Sequence, residues 1–125
     1  MKVTIISIVL ALIFFASGAA KLASLEFEIV AFERWGYALW FMYAIGAIEV
    51  IGAVGLLLKR VSALASAGLA VMMIGAIATH VMHAEWGMLA AASVIFALSV
   101  TRALLGRDDL VVLFAGKRLL TQVAR

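Results

Sequence analysis

Cysteine is absent from the 125 residues, so the chain forms no disulfide staple and performs no thiol–disulfide chemistry by itself. Proline is also missing, and charge is scarce, with only 14% of positions being Asp, Glu, Lys or Arg. No glycine-rich phosphate loop, nucleophile elbow or metalloprotease motif occurs, which argues against the chemistries that depend on them. What is present is apolar: 67% of the residues are hydrophobic and the mean hydropathy is +1.22. A soluble domain of this size is nearer half apolar, so the composition belongs to a membrane protein with little room for a separate soluble domain.

A spanning helix needs about 20 mostly apolar residues. Four segments qualify, about 3–20, 38–58, 61–82 and 87–105, and no alternating ten-residue pattern suggests a barrel. Lys2, the apolar run and "ASGAA" at 16–20 have the look of a cleavable secretion signal, but the expectation here is a retained helix. Only Lys59 and Arg60 separate the second and third spans, which makes those two a tight antiparallel hairpin. The fold class is therefore all-α, an integral membrane four-helix bundle. Residues 1–105 form the transmembrane domain, and 106–125 form a basic, amphipathic, interfacial tail with Leu113, Leu120 and Val123 on one side and Arg118, Gln122 and Arg125 on another.

Orientation follows from the basic residues in the short flanks. Lys2, Lys59, Arg60, Arg102, Arg107, Lys117, Arg118 and Arg125 fall on one side, against Lys21 and Arg34 on the other. Both termini are thus expected in the cytoplasm, in the cytoplasmic membrane of a bacterium. The pI of 9.7 is a topology signal, and nucleic acid is not an expected partner. Between the first two spans, Leu22, Leu25, Ile29 and Phe32 recur at helical spacing, and Trp35 and Tyr37 stand where the chain re-enters the membrane. This predicts a short helix on the outer surface or over the bundle mouth.

On that topology Glu49 lies eleven residues into the second span, about 16 Å deep and near the bilayer midplane. An ionisable group there is costly without a partner or a task. Lys21 closes the first span, His80 and His83 lie on the last turn of the third, and Glu85 follows, all toward the outer mouth. An outward-facing pocket with a carboxylate at its floor accounts for this distribution. Alternatives stay open for each group. Glu49 can be a protonated carboxyl bonded to a neighbouring helix, and Lys21 can snorkel to the headgroups. His80 can be a satisfied interfacial histidine, and the i, i+3 pair His80 and His83 can hold a metal or meet a haem edge, although two histidines without cysteine are a thin ligand set. Met72, Met73, Met82 and Met88 read as packing residues. Gly46, Gly52, Ala53 and Gly55 on the second span, and Ala63, Ala67, Gly68, Gly75 and Ala76 on the third, offer close helix approach.

Taken in order, "FFASGAAKL" at 14–22, "FERWGY" at 32–37, "GAIEVIGAVGLLL" at 46–58 and "MMIGAIATH" at 72–80 resemble the DoxX-like family. The resemblance covers roughly residues 5–105 and implies a four-helix membrane bundle. It also implies a link to quinol-oxidising, thiosulfate:quinone and redox-stress membrane complexes. Many relatives place a proline where Ala38 follows Tyr37. By position it draws attention to Ser17, Gly18, Lys21, Gly36, Tyr37, Glu49, Gly52 and His80.

The expected catalytic group is Glu49, His80 and Lys21, and the expected ligand-binding residues are Ser17, Tyr37, Gly52, Met72, Thr79 and His83, with no metal among the site assignments. Three functions compete. The first is a redox-associated subunit that binds a quinone or similar lipophile and takes electrons from a membrane partner. The second is a membrane enzyme doing acid/base chemistry, isomerisation or epoxide opening. The third is a non-catalytic assembly or stability factor. The lipid bilayer, a small lipophilic molecule, a membrane redox partner and a second copy of the chain are the expected partners.

Overall fold

The computed structural model describes residues 2–123, with side chains described through residue 116. It is helical throughout: α1 (Lys2–Leu22), α2 (Glu26–Trp35), α3 (Leu39–Leu57), α4 (Ser62–Met82), α5 (Trp86–Leu105) and α6 (Arg107–Val123). α1, α3, α4 and α5 are 19 to 21 residues long and apolar enough to cross a membrane. At 1.5 Å per residue the shortest is about 28 Å, close to the hydrocarbon thickness. Ile51, Val71 and Trp40 stand about 70% exposed on the bundle surface, an apolar exterior that suits lipid. The faces expected for Leu120, Val123, Arg118, Gln122 and Arg125 of the tail lie outside the described side chains.

α1 packs along α3 and α4 along α5, and the two pairs join mainly through α3 and α4. The tightest approach is between α1 and α3. A Cβ added at Gly18 would stand 2.6 Å from the Gly46 carbonyl oxygen, and one at Gly46 would stand 2.8 Å from Lys21 Cβ. Gly52 and Gly55 serve the α3–α4 contact, against Leu69 and Ala65. Gly68 and Gly75 differ from expectation: neither has a neighbour where its Cβ would be, so neither brings helices together. The hydrophobic core draws Leu10 and Phe14 from α1, Leu56 from α3, Leu69 and Met73 from α4, and Ala92 from α5.

Three helices end in the same way at one end of the bundle. After α1, Leu25 N–H donates to Ala20 and Ser24 N–H to Lys21; after α2, Tyr37 donates to Phe32 and Gly36 to Glu33; after α4, Glu85 donates to His80 and Ala84 to Val81. These paired 6→1 and 5→2 bonds are Schellman motifs, which need a left-handed residue. Gly36 takes that conformation freely at φ 81°, whereas Ser24 and Ala84 adopt it at φ 57° and 53° against a steric penalty. The motifs aim Tyr37 and Glu85 back toward the bundle.

At the opposite end Arg102, 3% exposed, is buried between helices. Its Nε donates to Ser7 Oγ at 2.6 Å, Ser7 Oγ lies 3.3 Å from Ser62 Oγ, and Ser62 donates to the Leu56 carbonyl at 2.8 Å. A residue counted from the sequence as a topological flank is thus also a crosslink among α1, α3, α4 and α5.

Substituting Gly18→Ala is expected to destabilise the protein by about 1–3 kcal/mol, because backbone must move to admit the methyl. Gly68→Ala has room and better helix propensity, and is expected to be neutral or stabilising by up to about 1 kcal/mol. Thermal unfolding in mild detergent measures both.

Candidate functional site

Between the helix pairs lies a cavity of about 560 Å³, within the range of small-molecule sites. Its walls are mostly apolar, with Phe14, Met73 and Ala92 shared with the core, so the core forms one end. α2 contributes Glu28, Phe32 and Trp35 to the lining, which places it over the mouth of the bundle. Its buried face is Glu28, Ala31 and Phe32, whereas Leu25, Phe27 and Val30 are exposed. Of the residues that recur at helical spacing, Phe32 is buried and Ile29 half-buried, while Leu22 and Leu25 are exposed. An aqueous amphipathic rule turns apolar side chains inward, but a helix at a lipid boundary can turn Phe27 and Val30 outward and keep its carboxylate inside.

Lys21 and Glu49 meet here. Gly18 and Gly46 let α1 and α3 approach until Lys21 Nζ stands 2.8 Å from Glu49 Oε1 and 3.4 Å from Glu28 Oε1. Lys21 also donates to Ser17 Oγ at 2.8 Å. Lys21, Glu28 and Glu49 are all buried, Glu49 to 3% exposure. The lysine faces Glu49 Oε1 as an ion pair but outside hydrogen-bond geometry, so that oxygen is buried without a hydrogen-bond partner among the described residues.

A second polar network holds the α2 end. Thr79 Oγ1 donates to the Gly75 carbonyl at 2.9 Å, so its proton is committed, and Tyr37 O–H is the donor in the 2.8 Å bond between them. Glu85 gathers Trp35 Nε1 at 2.9 Å, His80 Nδ1 at 3.1 Å and the Arg34 guanidinium. A carboxylate only accepts, so Nδ1 of His80 carries the hydrogen in this bond. The Trp35 and His80 rings meet edge to face with centroids 5.6 Å apart. Glu85 therefore ties α2 to the end of α4 and acts as the latch of the cover.

The cavity brings together Lys21, Glu49, His80, Ser17, Tyr37, Met72 and Thr79, and Met88 joins them from α5. No hydrogen bond joins the Lys21–Glu49 group to the His80 group among the described residues. Gly52 lies off the lining, against Leu69, and His83 also lies off it, donating from Nδ1 to the Thr79 carbonyl at 2.9 Å. No cluster of three or more His, Asp or Glu that could hold a metal occurs among the described residues. Glu28, Arg34, Trp35 and Glu85 were not expected in these roles. Glu28 was legible only as a charge on a surface helix, and the partners of Glu85 lie about 50 residues away in sequence.

The His80 hydrogen bond, with those of Trp35 and Arg34, holds the Glu85 carboxyl below its ordinary value of 4.5, against the opposing effect of desolvation. A depressed folded-state value makes the latch contribution complete above about pH 4.5 and loses it as pH falls through the lowered value. In a Trp40→Phe, Trp86→Phe background, the fluorescence of Trp35 is expected to change with acidification below pH 4.5 and to recover on return. Glu85→Gln should remove that acid transition; its persistence would place the titrating group elsewhere.

The comparisons with curated proteins and with solved structures returned no match. The sequence profile of the DoxX-like family matches residues 5–102, which take in α2, the four long helices nearly entire, and every residue of the cavity lining. With four membrane-length helices enclosing that site, the chain is an integral membrane protein of the DoxX-like family.

Proposed function

We propose that the protein binds a small lipophilic molecule of the quinone–quinol type in this cavity, as a redox-associated subunit of a membrane complex. The observation that carries the reading is a largely apolar cavity of about 560 Å³ whose wall includes the buried Lys21, Glu28 and Glu49 group. Quinone-type headgroups need a slot between apolar walls with a few proton-handling groups at the polar edge. The lining offers both. A hydroxyl of the reduced form would donate to the Glu49 carboxylate. Lys21, already committed to Ser17 and Glu28, would hold Glu49 in place and stabilise its charge. When bound, such a molecule supplies two-electron, two-proton redox chemistry. The residues of the chain accept and pass the protons, and a partner protein carries the electrons.

The eight-to-two distribution of basic flanking residues supports an arrangement with the cavity toward the outer leaflet and both termini in the cytoplasm of a bacterial cell. The acid/base-enzyme reading needs Glu49 and His80 to act as a pair, and their separate networks favour it less. The assembly-factor reading accounts for the Lys21–Glu49 contact between α1 and α3 but gives the cavity no occupant.

Detergent-purified protein should quench its tryptophan fluorescence on titration with a short-chain ubiquinol, and native mass spectrometry should show one adduct per chain. Lys21→Met alone leaves two buried carboxylates without their cation and is expected to cost about 3–5 kcal/mol of stability. Lys21→Met with Glu49→Gln should recover much of that loss while still failing to bind. Binding retained by the folded double variant would overturn the assignment of this site.

A further inference from the structure

The buried ionisable groups of the cavity do not balance. Lys21 contributes one positive charge against the two carboxylates, Glu28 and Glu49, that flank it at 3.4 and 2.8 Å. The other elements supply no compensation while the His80 ring is neutral. α4 presents His80, whose Nδ1 is spent on Glu85, and Glu85 is itself paired with Arg34. α5 lines the cavity with Met88, Ala91, Ala92 and Ile95, none of which ionises, and Tyr37 is engaged with Thr79. With both carboxylates ionised the buried group therefore carries a net charge of −1. A low-dielectric interior does not hold such a charge unneutralised. One proton or one monovalent cation must accompany it.

The walls say which cation fits. Phe32, Trp35, Tyr37 and Phe41 form a continuous aromatic cluster on the lining, with neighbouring ring centroids 5.1 to 6.4 Å apart. Aromatic faces beside carboxylates recognise poorly hydrated organic cations, because the ring quadrupole replaces part of the lost solvation. A small inorganic ion would need several oxygen ligands, and the Glu28 and Glu49 carboxylates and the Ser17 hydroxyl are already shared with Lys21.

We propose that the cavity is a site for a lipophilic organic monocation, an alkyl- or arylammonium or phosphonium, which enters as one proton leaves the Glu28–Lys21–Glu49 group. The exchange is neutral in charge: the ionised triad with a cation and the singly protonated triad without one both sum to zero. This inference rests on the reading of the cavity as a ligand site and adds a charge selectivity that a neutral quinol does not require. The aromatic wall holds the apolar body of the cation, and the excess carboxylate holds its charge.

Tetraphenylphosphonium is the probe, titrated calorimetrically into the full chain in mild non-ionic detergent, with tetraphenylmethane or a similar uncharged isostere as control. Saturable one-to-one binding is expected. About one proton should be released per cation, read from the dependence of the heat on buffer ionisation enthalpy. Affinity should fall about tenfold per pH unit over the range in which the displaced proton is bound. Glu49→Gln should lower affinity at least tenfold and abolish proton release. Glu28→Gln, on the short covering helix, gives the same test if the α3 variant does not fold. Equal binding of the uncharged isostere would overturn the charge selectivity, and cation binding without proton release would overturn the exchange, each while leaving a lipophile site intact. If neither probe binds, and the ubiquinol titration is also silent, the ligand-site reading itself fails.

Discussion

The contact between Lys21 and Glu49 organises the rest of this molecule. Two ionisable groups in a membrane interior are tolerable only as partners, and a 2.8 Å approach makes them so. That approach exists because Gly18 and Gly46 let α1 and α3 run almost backbone to backbone one turn away. Any side chain at either glycine would push the ammonium and the carboxylate apart. The pair in turn fixes the polar end of the cavity, while the core residues Phe14, Met73 and Ala92 close the other. Packing and electrostatics here are one constraint.

The two ends of the bundle solve the burial of polar groups differently. At the Arg102 end the guanidinium, the hydroxyls of Ser7 and Ser62 and the Leu56 carbonyl knit helices together, and no cavity lining includes them. At the α2 end, carboxylates face an open volume beneath a cover latched by Glu85. The first arrangement stiffens a bundle. The second sets a buried ion-paired group and a hydrogen-bonded rim around a volume that the chain itself does not fill.

The cover is also where lipid inverts an expectation from aqueous proteins. α2 carries Phe27 and Val30 outward and Glu28 inward. Its helix ends on Gly36, which accepts the left-handed turn without strain, and this turn delivers Tyr37 to Thr79. The corresponding turn after α4 uses Ala84 and delivers Glu85 to Arg34, Trp35 and His80. Two helix endings thus build the polar rim.

The sequence by itself determined four membrane-length helices, because apolar runs of about 20 residues have no other stable home. It marked Glu49 and Lys21 for the same reason: a charge in such a run announces a partner or a task. Of the site residues it singled out, Ser17, Tyr37, Met72, Thr79 and His80 line the cavity with Lys21 and Glu49, whereas Gly52 and His83 do not. Only the tertiary structure decided that Lys21 reaches Glu49, since helical periodicity gives faces but not which faces meet. It alone showed Gly52 against Leu69 and His83 turned to a backbone carbonyl. Glu28, Arg34, Trp35 and Glu85 could not be read as one assembly from the chain. Arg34 and Trp35 reach Glu85 across about 50 residues, and Glu28 shares Lys21 with Glu49 on another helix; contacts of that kind are fixed by how helices pack rather than by any local pattern.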